Sequence, residues 1–522
     1  MRVSSFLPLL FPIIGASAAA SSGSTTGTTT TVFPDGLNDH DCVFDWATSE
    51  CAPAQFCSFQ FQFGDVTFSQ ACRLVPETYS QIPQQLHLAF AGAKTGTGMT
   101  ISWTTFANVS DATVWVGSSA DALEPAAVPV ETQSYFQQAN YKLYTHHATL
   151  SGLTPATTYY YKVGSKSAPA HQSAVNQFRT ARTSDDKGPV TVAVYGDFGV
   201  GKHSNATVKY VNEKLPSQVD FVLHIGDVSY ADNAFLEAEE LLGFFYEETY
   251  NRWMTSISPA MKTVPYMVLV GNHEAECHSP SCFVSGTKKD QLGNYTAYNT
   301  RFKMPSAESG GVQNMWFSFD HGPVHYTAIS SETDFPDAPS NSFTGRKYGN
   351  FGNQLAWLEA DLKKATANRD KTPWIVIGMH RAIYTRGLCE KDGTPRDSAL
   401  AIQKAFEDLF IKYKVDVVVA GHQHLYERQY PIKQNKPVLD GVSADKKTYK
   451  SPQAPVYIVT GSAGNTEGLD KVDPRQSIPW NAVTENLHFG MSMMNATHDS
   501  MTWTFVSSED GAILDEFTIL KA

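Results

Sequence analysis

The 522-residue sequence predicts an α/β domain, with β-sheets flanked by helices, preceded by an all-β sandwich; three observations carry that prediction. Between about Pro83 and Thr183, short runs rich in β-branched and aromatic residues alternate with turn residues, as strands of a sandwich do. At Pro189 the pattern changes to near-continuous apolar runs separated by amphipathic stretches, which read as buried strands and their covering helices. Five of these later runs end in a glycine followed within two residues by Asp, Asn or His, and the carboxyl ends of strands are where α/β sheets place their sites.

The sandwich runs are Leu86–Phe90, Met99–Trp103, Thr113–Val116, Tyr144–Leu150 and Thr158–Val163. Their spacing, and the Leu153-Thr-Pro-Ala-Thr-Thr-Tyr159 segment, resemble a fibronectin type III-like module over 83–183. Sandwiches host many functions, so this part predicts no activity. The later strands are Val190–Tyr195, Phe221–Ile225, Tyr266–Val270, Trp374–Ile377, Val415–Ala420 and Val456–Thr460, with helices over Phe235–Met254, Gly352–Ala367 and Asp397–Tyr413.

Ahead of the sandwich, Met1-Arg2, the apolar stretch Phe6–Ile14 and the small-residue run Ala16–Ala20 predict a secretory signal over 1–20. The stretch is too short to span a bilayer and holds Pro8 and Pro12; no later segment is apolar enough to cross one. A Ser/Thr/Gly-rich linker over 21–40 leads to a Cys-rich cap over 41–82. In a secreted chain Cys42, Cys51, Cys57 and Cys72 suit two disulfides of undetermined pairing, Cys277 and Cys282 a local clamp, and Cys389 is left over. Sequons at Asn108, Asn205, Asn294 and Asn495 fit a glycosylated, extracellular protein. With 40 Lys+Arg against 52 Asp+Glu, the net charge of -12 argues against a nucleic-acid partner and requires any anion site to be built locally.

The five clusters are Gly196-Asp197-Phe-Gly, Gly226-Asp227-Val-Ser-Tyr230, Gly271-Asn272-His273-Glu274, Gly378-Met-His380 and Gly421-His422-Gln-His424. Each alone is an ordinary turn. Together they gather carboxylate, amide, imidazole and phenol, all ligands of first-row metals, in one domain. Their order is similar to that of the metallophosphoesterase superfamily, and the tyrosine three residues after Asp227 resembles the purple acid phosphatases in particular. The likeness covers roughly 83–522, so that 189–522 is the metallophosphoesterase domain with a family-type C-terminal segment at about 485–522.

That resemblance implies a binuclear centre in which Asp197, Tyr230 and His424 bind Fe(III), Asn272, His380 and His422 bind a divalent Zn, Mn or Fe, and Asp227 bridges both. It implies attack of a metal-bound hydroxide on a phosphate monoester at acid pH, with His273 contacting the phosphate and serving as catalytic acid. Family members of the plant type place further histidines about ten residues after the metal-binding one. Here that stretch is Arg381-Ala-Ile-Tyr384-Thr-Arg386-Gly-Leu-Cys389-Glu390, so Glu390, Tyr384 or an arginine stands in, or His273 works alone. His203, His224, His278, His321 and His325 fall outside the ligand positions and read as structural or surface residues. Two other readings stay open: a secreted phosphodiesterase or nucleotidase, and an inactive adhesion protein. Family members include dimers, and no residue identifies an interface.

Overall fold

The computed structural model describes residues 80–521, apart from 139–140, 237–244 and 474, together with the backbone of four short strands between Cys42 and Ser69. The signal and linker expectations, and the pairing of Cys42, Cys51, Cys57 and Cys72, fall outside the described residues. No described helix is long and apolar enough to cross a membrane.

The segment after Ser80 forms two four-stranded antiparallel sheets. Gln84–Ala91, Gly98–Thr105, Tyr144–Ser151 and Val130–Gln133 build one; Asn176–Arg179, Thr158–Ser165, Ala112–Ser119 and Ala122–Pro125 build the other. Alternation in Met99-Thr-Ile-Ser-Trp-Thr suggests one wet face, yet every residue of that strand is buried. Its polar face lies under the next domain, where Ser102 bonds His147 Nδ1 at 2.7 Å and His147 Nε2 donates to Thr300 O at 3.0 Å. Arg301 seals the same junction: fully buried, it pairs with Glu247 at 3.0 Å, donates to Tyr135 and Asn251, and stacks over Tyr250.

In the following domain, numbering its elements from Val190, the strands are β1 Val190–Tyr195, β2 Phe221–His224, β3 Tyr266–Val268, β4 Phe317–His321, β5 Val324–Ala328, β6 Trp374–Arg381, β7 Val417–Gly421, β8 Tyr426–Lys433, β9 Val456–Thr460, β10 Gly490–Ala496, β11 Ser500–Ser507 and β12 Ile513–Leu520. The long helices are α1 Tyr246–Met261, α2 Gln354–Ala367 and α3 Asp397–Lys412. Two mixed sheets result, ordered β3-β2-β1-β10-β11-β12 and β4-β5-β6-β7-β9-β8, the first extended at β12 by the short strand Thr448–Lys450 and the second at β8 by Lys436–Pro437 and Asn481–Glu485. β1, β2 and β3 run parallel, as do β5, β6, β7 and β9.

Side chains alternate across each strand, and that alternation divides the core. Val376, Val417, Val419, Val456 and Ile458 join the cluster that includes Val192, Val194 and Met494 of the first sheet. Ile375, Ile377, Val418, Tyr457 and Val459 face the other way, onto Leu358 and Leu362 of α2 and Ile402, Phe406 and Phe410 of α3. The arrangement is therefore helix, sheet, sheet, helix. α1 starts at Tyr246 and runs to Met261, later than the predicted Phe235–Met254, because Tyr246, Tyr250, Trp253, Ile257 and Met261 extend the apolar stripe beyond Met254. Ala231–Leu236 is a 3₁₀ turn instead. α2 begins where Asn353 Oδ1 accepts from Ala356 N at 3.1 Å, an N-cap that moves the start from Gly352 to Gln354.

Candidate metal centre

All five glycine-led turns converge where β1, β2, β3, β6 and β7 end. Close backbone approach explains the glycines. A Cβ on Gly421 would overlap Asp197 Oδ2, one on Gly461 would sit 2.6 Å from the same oxygen, and one on Gly271 would overlap Asp227 Oδ1. Four of the seven predicted ligands adopt left-handed backbone: Asp197 (φ 60°), Asp227 (56°), Tyr230 (57°) and His422 (68°). Such conformations cost non-glycine residues on the order of 1–3 kcal/mol and persist where surrounding structure imposes them. His380 is aimed by a different device: the β6–β7 register shifts between Gly378 and Arg381, and this bulge swings it toward Asn272.

The seven side chains form two touching groups. In the first, Tyr230 Oη lies 3.3 Å from Asp197 Oδ1 and 3.1 Å from His424 Nε2, and His424 Nε2 lies 3.4 Å from Asp197 Oδ1. In the second, His380 Nε2 lies 2.9 Å from Asp227 Oδ2 and 3.1 Å from Asn272 Oδ1, and ligand atoms of Asp227, His380 and His422 are all within 4.8 Å of one another.

This donor set fits cations. His380 Nδ1 donates to Ile225 O at 2.9 Å, so a neutral ring turns its Nε2 lone pair toward two oxygens. Burial disfavours a charged His380, but the neighbouring Asp227 carboxylate outweighs it and pushes the imidazole up to about 9. Asp227 Oδ2, fully buried, finds no donor in hydrogen-bonding geometry despite the nearby ring. A cation resolves both conflicts at once. Burial, then the Asp197 and Asp227 charges, hold the Tyr230 phenol far above its usual range, so only a strongly polarising ion could draw off its proton.

His273 stands beside both groups. Its backbone N–H donates to Asp227 Oδ1 at 2.9 Å, its ring stacks 4.1 Å from that of Tyr230, and Nε2 lies 3.8 Å from Asp227 Oδ2. Nδ1 is held 2.8 Å from Asp232 Oδ2. Burial opposes charge on this ring, and the Asp232 and Asp227 carboxylates together reverse that, raising it well above the usual imidazole range.

Several supporting residues were missing from the sequence reading. Glu274 accepts from Gly271 N (2.7 Å), Asp227 N (3.0 Å) and Val228 N (2.7 Å), clamping two turns with one carboxylate. Asp232 also takes His278 Nδ1 at 3.0 Å, which brings His278 into the site's hydrogen-bond network. Gly461, just after β9, adds the wall noted above. The only signals were Glu274 within a quoted cluster and Asp232 two residues past Tyr230. The other set-aside histidines lie elsewhere: His224 bonds Tyr266, His325 bridges Asp320 and Asp361, His321 packs against Phe90 and Phe221, and His203 stacks on Phe489.

Cys277 and Cys282 form the expected disulfide, and Cys389 is a buried free thiol. Asn108, Asn205 and Asn294 are exposed, whereas Asn495 is half-buried with its amide donating to Thr191 at 2.9 Å.

Comparison with known proteins bears on this geometry. Residues 83–180 match the family model "Purple acid Phosphatase, N-terminal domain", 190–426 "Calcineurin-like phosphoesterase", and 454–516 "Iron/zinc purple acid phosphatase-like protein C". The chain is 31% identical to a human acid phosphatase type 7 over 85% of its own length and 92% of the relative's. It is 30% identical to acid phosphatase A of Cryphonectria parasitica, over 84% and 92%. The solved structure of purple acid phosphatase PPD1 from yellow lupin seeds superposes with a TM-score of 0.67 at 22% identity, covering 89% of this chain and 79% of that one, a likeness of fold. With that fold, three consecutive family matches and relatives aligned almost end to end, the chain belongs to the purple acid phosphatase family and is an acid phosphatase.

Proposed function

We propose that this acid phosphatase is secreted and hydrolyses phosphate monoesters at a binuclear Fe(III)–M(II) centre. Asp197, Tyr230 and His424 would hold the ferric ion, Asn272, His380 and His422 a divalent Zn, Mn or Fe, and Asp227 would bridge them. The buried, donorless Asp227 Oδ2, 2.9 Å from His380 Nε2, carries this reading. Anionic oxygens suit the harder trivalent ion, and neutral nitrogens and an amide the divalent one. When bound, the ions supply Lewis-acid charge for the phosphoryl oxygens and make water available as a nucleophile at acid pH.

The protein's own residues do the rest. Asp232 and the Tyr230 ring fix His273 with Nδ1 engaged, leaving Nε2 to hold the proton that a leaving alkoxide or phenoxide takes up. Strained turns and the Glu274 clamp hold the ligands before substrate arrives, so little reorganisation is needed during reaction. Exposed Asn108, Asn205 and Asn294 are the glycan acceptors we favour. The decisive assay is hydrolysis of an aryl phosphate monoester beside a diester by the metal-loaded protein from acid to neutral pH. Monoester turnover peaking in acid, lost in Asp227→Asn, is expected; preference for the diester would overturn the substrate reading, and an active Asp227→Asn the bridging role.

A further inference from the structure

We infer that Arg381 is a phosphate-binding residue of this site, gripping phosphoryl oxygens with the N–H groups that the protein leaves free; this rests on the phosphatase reading above. Phosphate dianion must enter a strongly acidic neighbourhood. Asp197, Asp227, Asp232 and Glu274 are fully buried there, and Glu467 and Asp470 flank His424. A fixed guanidinium beside the phosphate would add to the charge that the ions supply and offset these carboxylates.

The alternatives within 381–390 point elsewhere. Tyr384 Oη donates to Glu407 at 2.7 Å in the helix-covered layer. Arg386 spends Nη2 on the carbonyls of Asp473 and Gln476, both at 2.7 Å, and Nη1 on Thr484. Glu390 is exposed, with its backbone paired to Thr394. Arg381 alone of these reaches the metal-ligand cluster: Nη1 lies 2.8 Å from His422 Nε2. Among the described residues it is the one arginine or lysine within hydrogen-bonding distance of a predicted ligand.

Its setting is that of a built donor. The side chain is only 9% exposed, and Nε points to both Glu332 oxygens at 2.9 Å. Ser331 accepts from the Arg381 backbone at 2.7 Å and donates to Glu332 at 3.2 Å, bracing the pair. A guanidinium has five N–H donors. Nε uses one and Nη1 stands against His422, and among the described residues both N–H groups of Nη2 have no protein acceptor. A planar fork fixed along one edge, with its other donors free beside a phosphate site, matches two phosphoryl oxygens with little further loss of freedom. Histidines on the following loop are then dispensable, because the cation comes from the strand itself.

The test titrates inorganic phosphate into metal-loaded parent, Arg381→Met and Arg381→Lys proteins by calorimetry, with metal content measured on each sample. Arg381→Met is expected to keep its metals and bind phosphate about 10- to 100-fold more weakly. Arg381→Lys, which keeps a charge but loses the fork, should fall between. Phosphate affinity within about twofold of the parent at full metal content overturns the inference. So does loss of metal with normal phosphate affinity once metal is resupplied, since Arg381 would then merely position His422. If Arg381→Met does not fold, Arg381→Lys decides alone, and unchanged affinity there is fatal. A parent that binds no phosphate at full metal content sinks the phosphatase reading itself, and this inference with it.

Discussion

Gly271→Ala probes how tightly the site is built, because it adds one methyl group and alters no ligand. Its backbone (φ -122°, ψ -173°) is extended and open to alanine, so any effect is steric. The new Cβ would overlap Asp227 Oδ1 and stand 2.5 Å from Asp227 N and 3.0 Å from its Cγ. Ordinary carbon contacts lie near 3.5 Å, so the carboxylate or its turn must move by roughly 1 Å. A displacement of that size typically costs about 100-fold in rate. The carboxylate displaced is the one proposed to bridge the two ions, so we expect kcat/KM for an aryl phosphate to fall at least that far, with metal content reduced and the unfolding transition still cooperative. Gly286→Ala, where a Cβ meets nothing within 4 Å, is the matched control and should match the parent. A fully metallated Gly271→Ala with kcat/KM within about threefold of the parent would refute close packing as the reason for that glycine.

Three further outcomes follow from the same structure. Among the described residues Tyr230 Oη bonds Asp197 and His424 alone, so Tyr230→Phe should fold normally yet lose the visible absorption of the iron-loaded protein; persistence of that band would remove Tyr230 from the ligand set. His321 has both ring nitrogens buried without a hydrogen-bond partner, Asp220 standing 3.9 Å from Nε2, and burial outweighs that carboxylate and pushes the imidazole down to about 4. The folded state therefore binds fewer protons than the unfolded one below about 6.5, and its stability falls with pH between there and about 4, by roughly 2 kcal/mol at pH 5 from this group. His321→Phe should thus raise the melting temperature more at pH 5 than at pH 7.5, and equal gains at both would contradict the cause given. Arg301→Met strands Glu247 in the interdomain junction and should cost on the order of 3–5 kcal/mol in thermal or denaturant unfolding, and a loss below about 1 kcal/mol would contradict a buried pair.

The sequence by itself determined the order of domains, most of the strands it predicted to within two or three residues, and a short list of side chains able to hold metal; the three antiparallel strands after Gly490 it did not show. Period-2 and continuous apolar patterns report burial, and a glycine before Asp or His after a buried run marks a strand end; these are local properties written into neighbouring residues. Val456–Thr460 was predicted residue for residue for that reason. Only the tertiary structure decided which sheet each strand joins, since Val376 and Ile377 read alike yet face different layers. It alone decided that the polar face of Gly98–Thr105 is buried, because the burying surface lies some two hundred residues away, around Thr300. The supporting contacts were decided there too: Asp232 on His273, Glu274 across two turns and Arg381 against His422 are single residues without periodicity, and quoting Glu274 and Arg381 in their segments did not assign them a partner. Their significance arises from distance in space, which strand pairing and backbone strain set and no stretch of neighbouring residues records.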